Sequence, residues 1–187
     1  MRGEFRGLMM NAFQLLGLPE TPVVSEEALR DAFREAGKKA HPDAGGREED
    51  FAAVREAHGI LASPSRRVRH WLELRGVEVE ARGAIGEGLM DLFSGIGAVS
   101  QRAEGVIRKR EAARSSLSRA LLEGEAQRCR EEVEAGISAL DAEIGERCGR
   151  IAAAGEADGE GLARLARDLA FLEKWRQGLR ACYARLV

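Results

Sequence analysis

The chain has 187 residues, 29 Lys and Arg against 31 Asp and Glu, and a formal net charge of −2, so it lacks the basic excess that duplex binding requires. Hydrophobic residues make up 44% and charged residues 32%, enough for a packed core beneath solvated helices. Only 5% is aromatic, Val/Ile/Thr runs are scarce, and Ala, Leu, Glu and Arg dominate, which predicts an all-α protein. No apolar stretch approaches the roughly 20 residues that span a bilayer, and the N-terminus shows no clean cleavage site. The expectation is a cytoplasmic protein with neither nucleic-acid nor membrane partners.

The first predicted element is a short helix from Asn11 to Leu16, capped by Asn11 and stopped by Gly17 and Pro19. A second helix opens at Ser25, carries Glu26 and Glu27 in its first turn, and runs to about Ala40, where Pro42 breaks it. Leu29, Phe33, Ala36 and Ala40 share one face of it. Arg30, Arg34 and Lys38 form a neighbouring basic band, with Glu27, Asp31 and Glu35 close enough to compensate. Asp43 to Gly46 reads as a loop.

A third helix covers about Glu48 to Ala62, with Phe51, Val54, His58 and Leu61 on one face. Ser63-Pro64 starts a fourth, which carries Val68, Trp71 and Leu72 and ends near Gly76. His58 is expected to be partly buried, and His70 to lie at the surface or at a hinge.

Beyond about Gly83 the pattern changes to long helices. The first begins near Ile85, is rich in glycine, and is expected to continue through Val106, Ile107, Leu117 and Leu121. The next carries the seam Cys129, Val133, Ile137, Leu140, Ile144, Cys148 and Ile151. The last carries Leu162, Leu165, Leu169, Leu172, Leu179, Cys182 and Leu186. Three such seams bury one another as an antiparallel three-helix bundle. The cysteines fit neither a disulfide framework nor a zinc site and read as small core residues. The three histidines lie on different elements, so no metal, cofactor or catalytic site is expected.

The order short helix, amphipathic helix, His41-Pro42-Asp43, amphipathic helix, Ser-Pro and basic short helix resembles the J-domain family over about residues 10 to 75. The resemblance implies a helical hairpin closed by the His-Pro-Asp loop. It implies that His41, Pro42 and Asp43 contact a DnaK-type chaperone, HscA-like or general, while Arg30, Arg34 and Lys38 steer the second helix onto an acidic surface. The protein would then perform no chemistry of its own and would stimulate the partner's ATPase. The chain departs from the family's usual pattern in having Ala40 before the histidine and Ala44 after the aspartate.

Three stretches are similar to the HscB type within that family: Phe13-Gln14-Leu15-Leu16-Gly17-Leu18-Pro19, Gly88-Leu89-Met90-Asp91-Leu92-Phe93 and Leu169-Ala170-Phe171-Leu172-Glu173-Lys174. That likeness implies residues 76–83 as a linker and residues 84–187 as a client-binding helical domain. Its client would be an iron–sulfur cluster assembly scaffold, bound through Leu89, Met90, Phe93 and Phe171. Met90, Phe93 and Phe171 also lie off the core seams, where an apolar surplus forms either an exposed patch or a wider core. The acidic residues that follow the Leu-Met pair in the family are replaced here by Ser94, Gly97 and neighbours. A J-protein with an unrelated client and a helical adaptor with a vestigial J-domain are the competing readings.

Overall fold

A computed structural model describes residues 11–41, 43, 45–77, 79, 86, 88–154 and 158–187. Among the described residues the secondary structure is helical, without strands. The helices are α1 (Ala12–Leu16), α2 (Glu26–Ala40), α3 (Glu48–Ala62), α4 (Pro64–Leu74), α5 (Leu89–Ala112), α6 (Ser116–Ala154) and α7 (Gly159–Leu186). Two compact units are present. One holds the described residues up to 79 together with Ile151–Ala166, and the other the described residues from 86 to 150 together with Arg167–Val187.

Local chemistry sets the ends of the first helices. Asn11 Oδ1 accepts the Phe13 and Gln14 N–H groups at 3.1 and 3.2 Å, which satisfies two of the donors that a helix start leaves open. Gly17 ends α1 at φ +66°, and the Leu18 N–H closes back on the Phe13 carbonyl at 2.9 Å. Ser25 Oγ caps α2 by accepting from the Ala28 N–H at 3.1 Å. Ser63 Oγ does the same for the Arg66 N–H of α4 at 3.3 Å, with Pro64 in the first turn.

The core of the first unit joins Phe13, Leu29, Val54, Ala57, Leu61, Val68, Trp71 and Leu72, all buried. The segment between α1 and α2 is tied down by α4. Arg67, itself buried, donates from Nε to the Pro22 carbonyl at 3.0 Å and from Nη1 to the Leu61 carbonyl at 2.7 Å. Trp71 Nε1 donates to the Glu20 carbonyl at 3.2 Å, and the Arg75 guanidinium lies 3.8 Å from the Trp71 ring centroid.

His70 departs from its expected surface position. It is buried, stacks on Phe13 at 5.8 Å between centroids, and accepts the Ala12 N–H on Nε2 at 3.1 Å. The reason is a helix start: the first N–H groups of α1 have no partner within the helix, and the imidazole supplies an acceptor from α4.

In the second unit α5, α6 and α7 form the expected bundle. Leu89, Ile96, Val106, Val133, Leu140, Leu169, Leu172, Leu179 and Leu186 are buried. Exposed pairs bridge the helices: Arg102–Glu132 at 2.8 Å, Arg176–Asp141 at 2.8 Å and Arg185–Glu104 at 3.0 Å. Cys129 and Cys182 are buried and Cys148 half-buried, and burial pushes the thiols of the first two up. Ile85 falls outside the described residues.

The expected run of one helix through Leu117 and Leu121 is corrected. The chain turns at Ala113–Ser115, and both leucines stand on α6. Ser115 and Ser118 cap that start reciprocally, each backbone N–H donating to the other's Oγ at 3.2 and 3.1 Å.

Burial holds His70 below the usual imidazole range, against the opposing pull of Glu73 and Glu20. A native ring kept neutral excludes a proton that the unfolded chain takes up below about pH 6.5. Stability is therefore complete above that pH and falls as pH drops toward the lowered native value. The urea midpoint of the protein should fall between about pH 7 and about pH 5. His70→Gln, which cannot ionise, should be less stable at neutral pH and show a shallower fall.

Candidate functional site

The loop that joins α2 to α3 is closed by backbone rather than by side chains. The His41 carbonyl accepts the Gly46 N–H at 3.1 Å. Gly45 takes φ +86°, a left-handed conformation that favours glycine. Gly46 lies so close to Ala40 that an added Cβ would overlap the Ala40 carbonyl. Arg47 then opens α3, its guanidinium gripping Asp50 through Nε at 3.1 Å and Nη2 at 3.0 Å. That pairing holds the exposed Asp50 carboxyl below its ordinary range.

Within this frame His41 and Asp43 are held together and exposed. The Asp43 N–H donates to His41 Nδ1 at 3.2 Å, and the Asp43 carboxylate lies 3.5 Å from the same nitrogen. Phe51 meets the imidazole edge to face at 5.5 Å. Pro42 and Ala44 lie outside the described residues.

Behind the loop the α2 and α3 faces are those read from the sequence. Phe33 lies on His58 at 4.2 Å between centroids, and Phe51 passes over Gly37. His58 is half-buried. On the outer side of α2, Arg30, Arg34 and Lys38 are exposed. Arg34 reaches Asp31 at 3.1 Å and Glu35 at 3.9 Å, and Lys38 reaches Glu35 at 2.9 Å. The Lys38 hydrogen bond, more than any other influence, lowers the Glu35 carboxyl. These are solvent-screened pairs within one helix, readily exchanged for an external carboxylate.

The second candidate surface lies on the second unit. Leu89 is fully buried, Met90 is 55% exposed and Phe93 42% exposed, and Phe171 is half-buried. Trp175, which sequence reasoning did not single out, joins them: its ring lies 5.1 Å from Phe93 and 6.1 Å from Phe171. The available signal was its spacing of four residues from Phe171, one helical turn on α7. Ser94, Gly95 and Gly97 beside Phe93 carry little or no side chain, and an added Cβ at either glycine would meet nothing within 4 Å.

A polar latch fixes the approach to α5. Asp168 on α7 accepts the Gly86 N–H at 3.3 Å and lies 3.7 Å from Arg147 Nε of α6. Arg147 is buried and also bonds Glu143. A Cβ at Gly86 would sit 2.7 Å from the Asp168 carboxylate, so a larger residue here would push that side chain aside.

Among the described residues no group of three or more His, Cys, Asp and Glu could hold a metal ion. No described helix is long and apolar enough to cross a membrane.

Residues 11–70 match the DnaJ domain family. Over 58 residues the chain is 43% identical to a tetratricopeptide repeat and J domain-containing co-chaperone of Cryptococcus neoformans, which covers 31% of this chain and 11% of that protein. It is 41% identical over 78 residues to an HscB co-chaperone homologue of Cupriavidus taiwanensis, covering 37% of this chain and 44% of the relative. The matches thus span less than half of these curated relatives. The fold is similar to that of the chaperone HscB from Vibrio cholerae, with a TM-score of 0.60 and 20% identity over 95% of this chain and all of that one. Motif, loop geometry and family match agree that residues 11–70 carry a DnaJ domain, and the chain as a whole is similar in fold to the chaperone HscB.

Proposed function

We propose that this protein is a co-chaperone that docks on a DnaK-type chaperone through the α2–α3 loop and stimulates its ATPase. The observation that carries the reading is the pinned, exposed His41–Asp43 pair at the end of a helical hairpin. Pro42 stands between them in sequence and completes the motif. Arg30, Arg34 and Lys38 supply the basic face that an acidic partner would meet, and the exposed pairs of Arg34 and Lys38 with Asp31 and Glu35 are weak enough to be exchanged for it. The role is one of binding. No nucleophile, metal or cofactor is invoked, and the hydrolysis belongs to the partner.

We further propose that the second unit carries the client, an iron–sulfur cluster assembly scaffold. The surface is Met90, Phe93 and Phe171, extended by Trp175 and seated on the buried Leu89. Met90 and Phe93, exposed on α5 beside the half-buried Phe171 and Trp175 of α7, are the composition of an interface centre. Resemblance to HscB homologues supports this client over an unrelated one.

Purified protein should accelerate ATP hydrolysis by its cognate DnaK-type chaperone, and His41→Gln should abolish the effect without changing the helical content of the protein. Lack of acceleration by the wild type removes the co-chaperone reading and favours a helical adaptor with a vestigial J-domain. Gly46→Ala should cost about 1–3 kcal/mol through its overlap with Ala40 and weaken ATPase stimulation while His41 and Asp43 remain present. Calorimetry of scaffold binding should show the Met90→Ala/Phe93→Ala/Phe171→Ala triple variant weakened about tenfold or more, with ATPase stimulation intact. Equal binding by wild type and variant would remove the client surface.

A further inference from the structure

At the other end of α5, about 22 Å along the helix from Met90, lies a cleft that the proposed function leaves unused. Its volume is about 290 Å³, with Gly105, Val106 and Cys129 among its lining and Arg128 on its rim. Two ion pairs also line it, Arg102–Glu132 at 2.8 Å and Lys109–Glu125 at 2.7 Å. It lies wholly within the second unit, between α5 and α6.

Three observations give the cleft a polarity. Leu117 and Leu121, the strip of α6 leading to it, are 69% and 77% exposed, and they continue at helical spacing into Glu125, Arg128 and Glu132. The carboxylates around it are engaged: Glu132 by Arg102, Glu125 by Lys109, Glu123 by Arg130, and Glu104 and Glu111 by Arg185. The cations are not all matched, because Arg108, Arg114 and Arg128 form no ion pair with any described carboxylate. The outcome is an apolar strip and a small concave floor lined by Arg128, a guanidinium that no described carboxylate holds in an ion pair, with Arg108 on the same stretch of α5 as Gly105 and Lys109.

We propose that the α5–α6 cleft is a second docking site, for an acidic amphipathic helix of a protein partner. One apolar side chain of that helix occupies the space over Gly105, others cover Leu117 and Leu121, and its carboxylates meet Arg108 and Arg128. The concave floor suits a helix, which can place one side chain in it, better than a planar anionic membrane, which would meet only its edges. This site does not depend on the client patch.

The probe is a synthetic helical peptide with Leu on one face and Glu on the other, titrated by fluorescence anisotropy against the full chain. Binding should weaken about tenfold in Arg108→Glu/Arg128→Glu and fall with rising salt. Gly105→Leu should block the cleft. A Cβ at Gly105 meets nothing within 4 Å, and the exchange raises helix propensity, so its thermal midpoint should match or exceed that of the wild type. Met90→Ala/Phe93→Ala should bind the peptide as the wild type does. Equal binding of a Lys-for-Glu peptide, or unchanged binding by the charge and cleft variants, overturns the proposal. So does binding to phosphatidylserine vesicles without binding to the peptide, or self-association that Gly105→Leu abolishes.

Discussion

The first unit depends on the contact between Gly46 and the end of α2. A helix that stops at Ala40 leaves carbonyls without partners, and the chain must reverse within a few residues to bring α3 back along α2. The Gly46 N–H returns to the His41 carbonyl at 3.1 Å, and only a residue without Cβ fits against Ala40. This reversal brings Phe51 over Gly37 and against His41, and sets Phe33 on His58. The exposure of His41 and Asp43 is thus a consequence of how the hairpin closes. Both side chains stand at the surface, and their geometry follows from the backbone turn.

Electrostatics and packing are separated in this unit. Three polar side chains packed in this unit meet backbone partners: Arg67 two carbonyls, Trp71 Nε1 one carbonyl, and His70 one N–H. These bonds join segments distant in sequence and fix the short α1 and the segment after it onto α4. On α2, Arg34 and Lys38 pair with Asp31 and Glu35 of the same helix and remain in water. Moving them to an external acidic surface costs little of the fold, because screened pairs within a helix contribute little to it. A surface that must be both stable alone and available to a partner is well served by this division.

Much of this was legible in the sequence because it is local. Asn11, Gly17, Ser25 and Pro64 act within a few residues, and the seam of α3 repeats within a turn. The unread features are those that local pattern cannot carry. His70 follows Arg66, Arg67 and Arg69 and looks solvated, yet its partner is Ala12, 58 residues away. Asp168 looks like an ordinary surface acid, yet it bonds Gly86 across 82 residues. The break between α5 and α6 has neither glycine nor proline, so the apolar spacing ran on through Leu117 and Leu121. Ser115 and Ser118 were the visible sign of a new helix start. Trp175 was passed over because Leu172 and Leu179 already filled a sufficient seam.

The client surface follows from an imbalance in that same bundle. Leu89, Ile96, Leu172 and Leu179 are enough to fill the interior at this end, so Met90, Phe93 and Trp175 add apolar area that the fold does not consume. Small neighbours at Ser94, Gly95 and Gly97 leave these side chains uncovered, and glycine in a helix carries a cost relative to alanine. The Arg147–Asp168–Gly86 latch offsets part of that looseness by anchoring the entrance to α5. A weakened helix start, a polar anchor and surplus aromatic area make sense together as a surface held in place for contact. None of the three improves the bundle as a bundle.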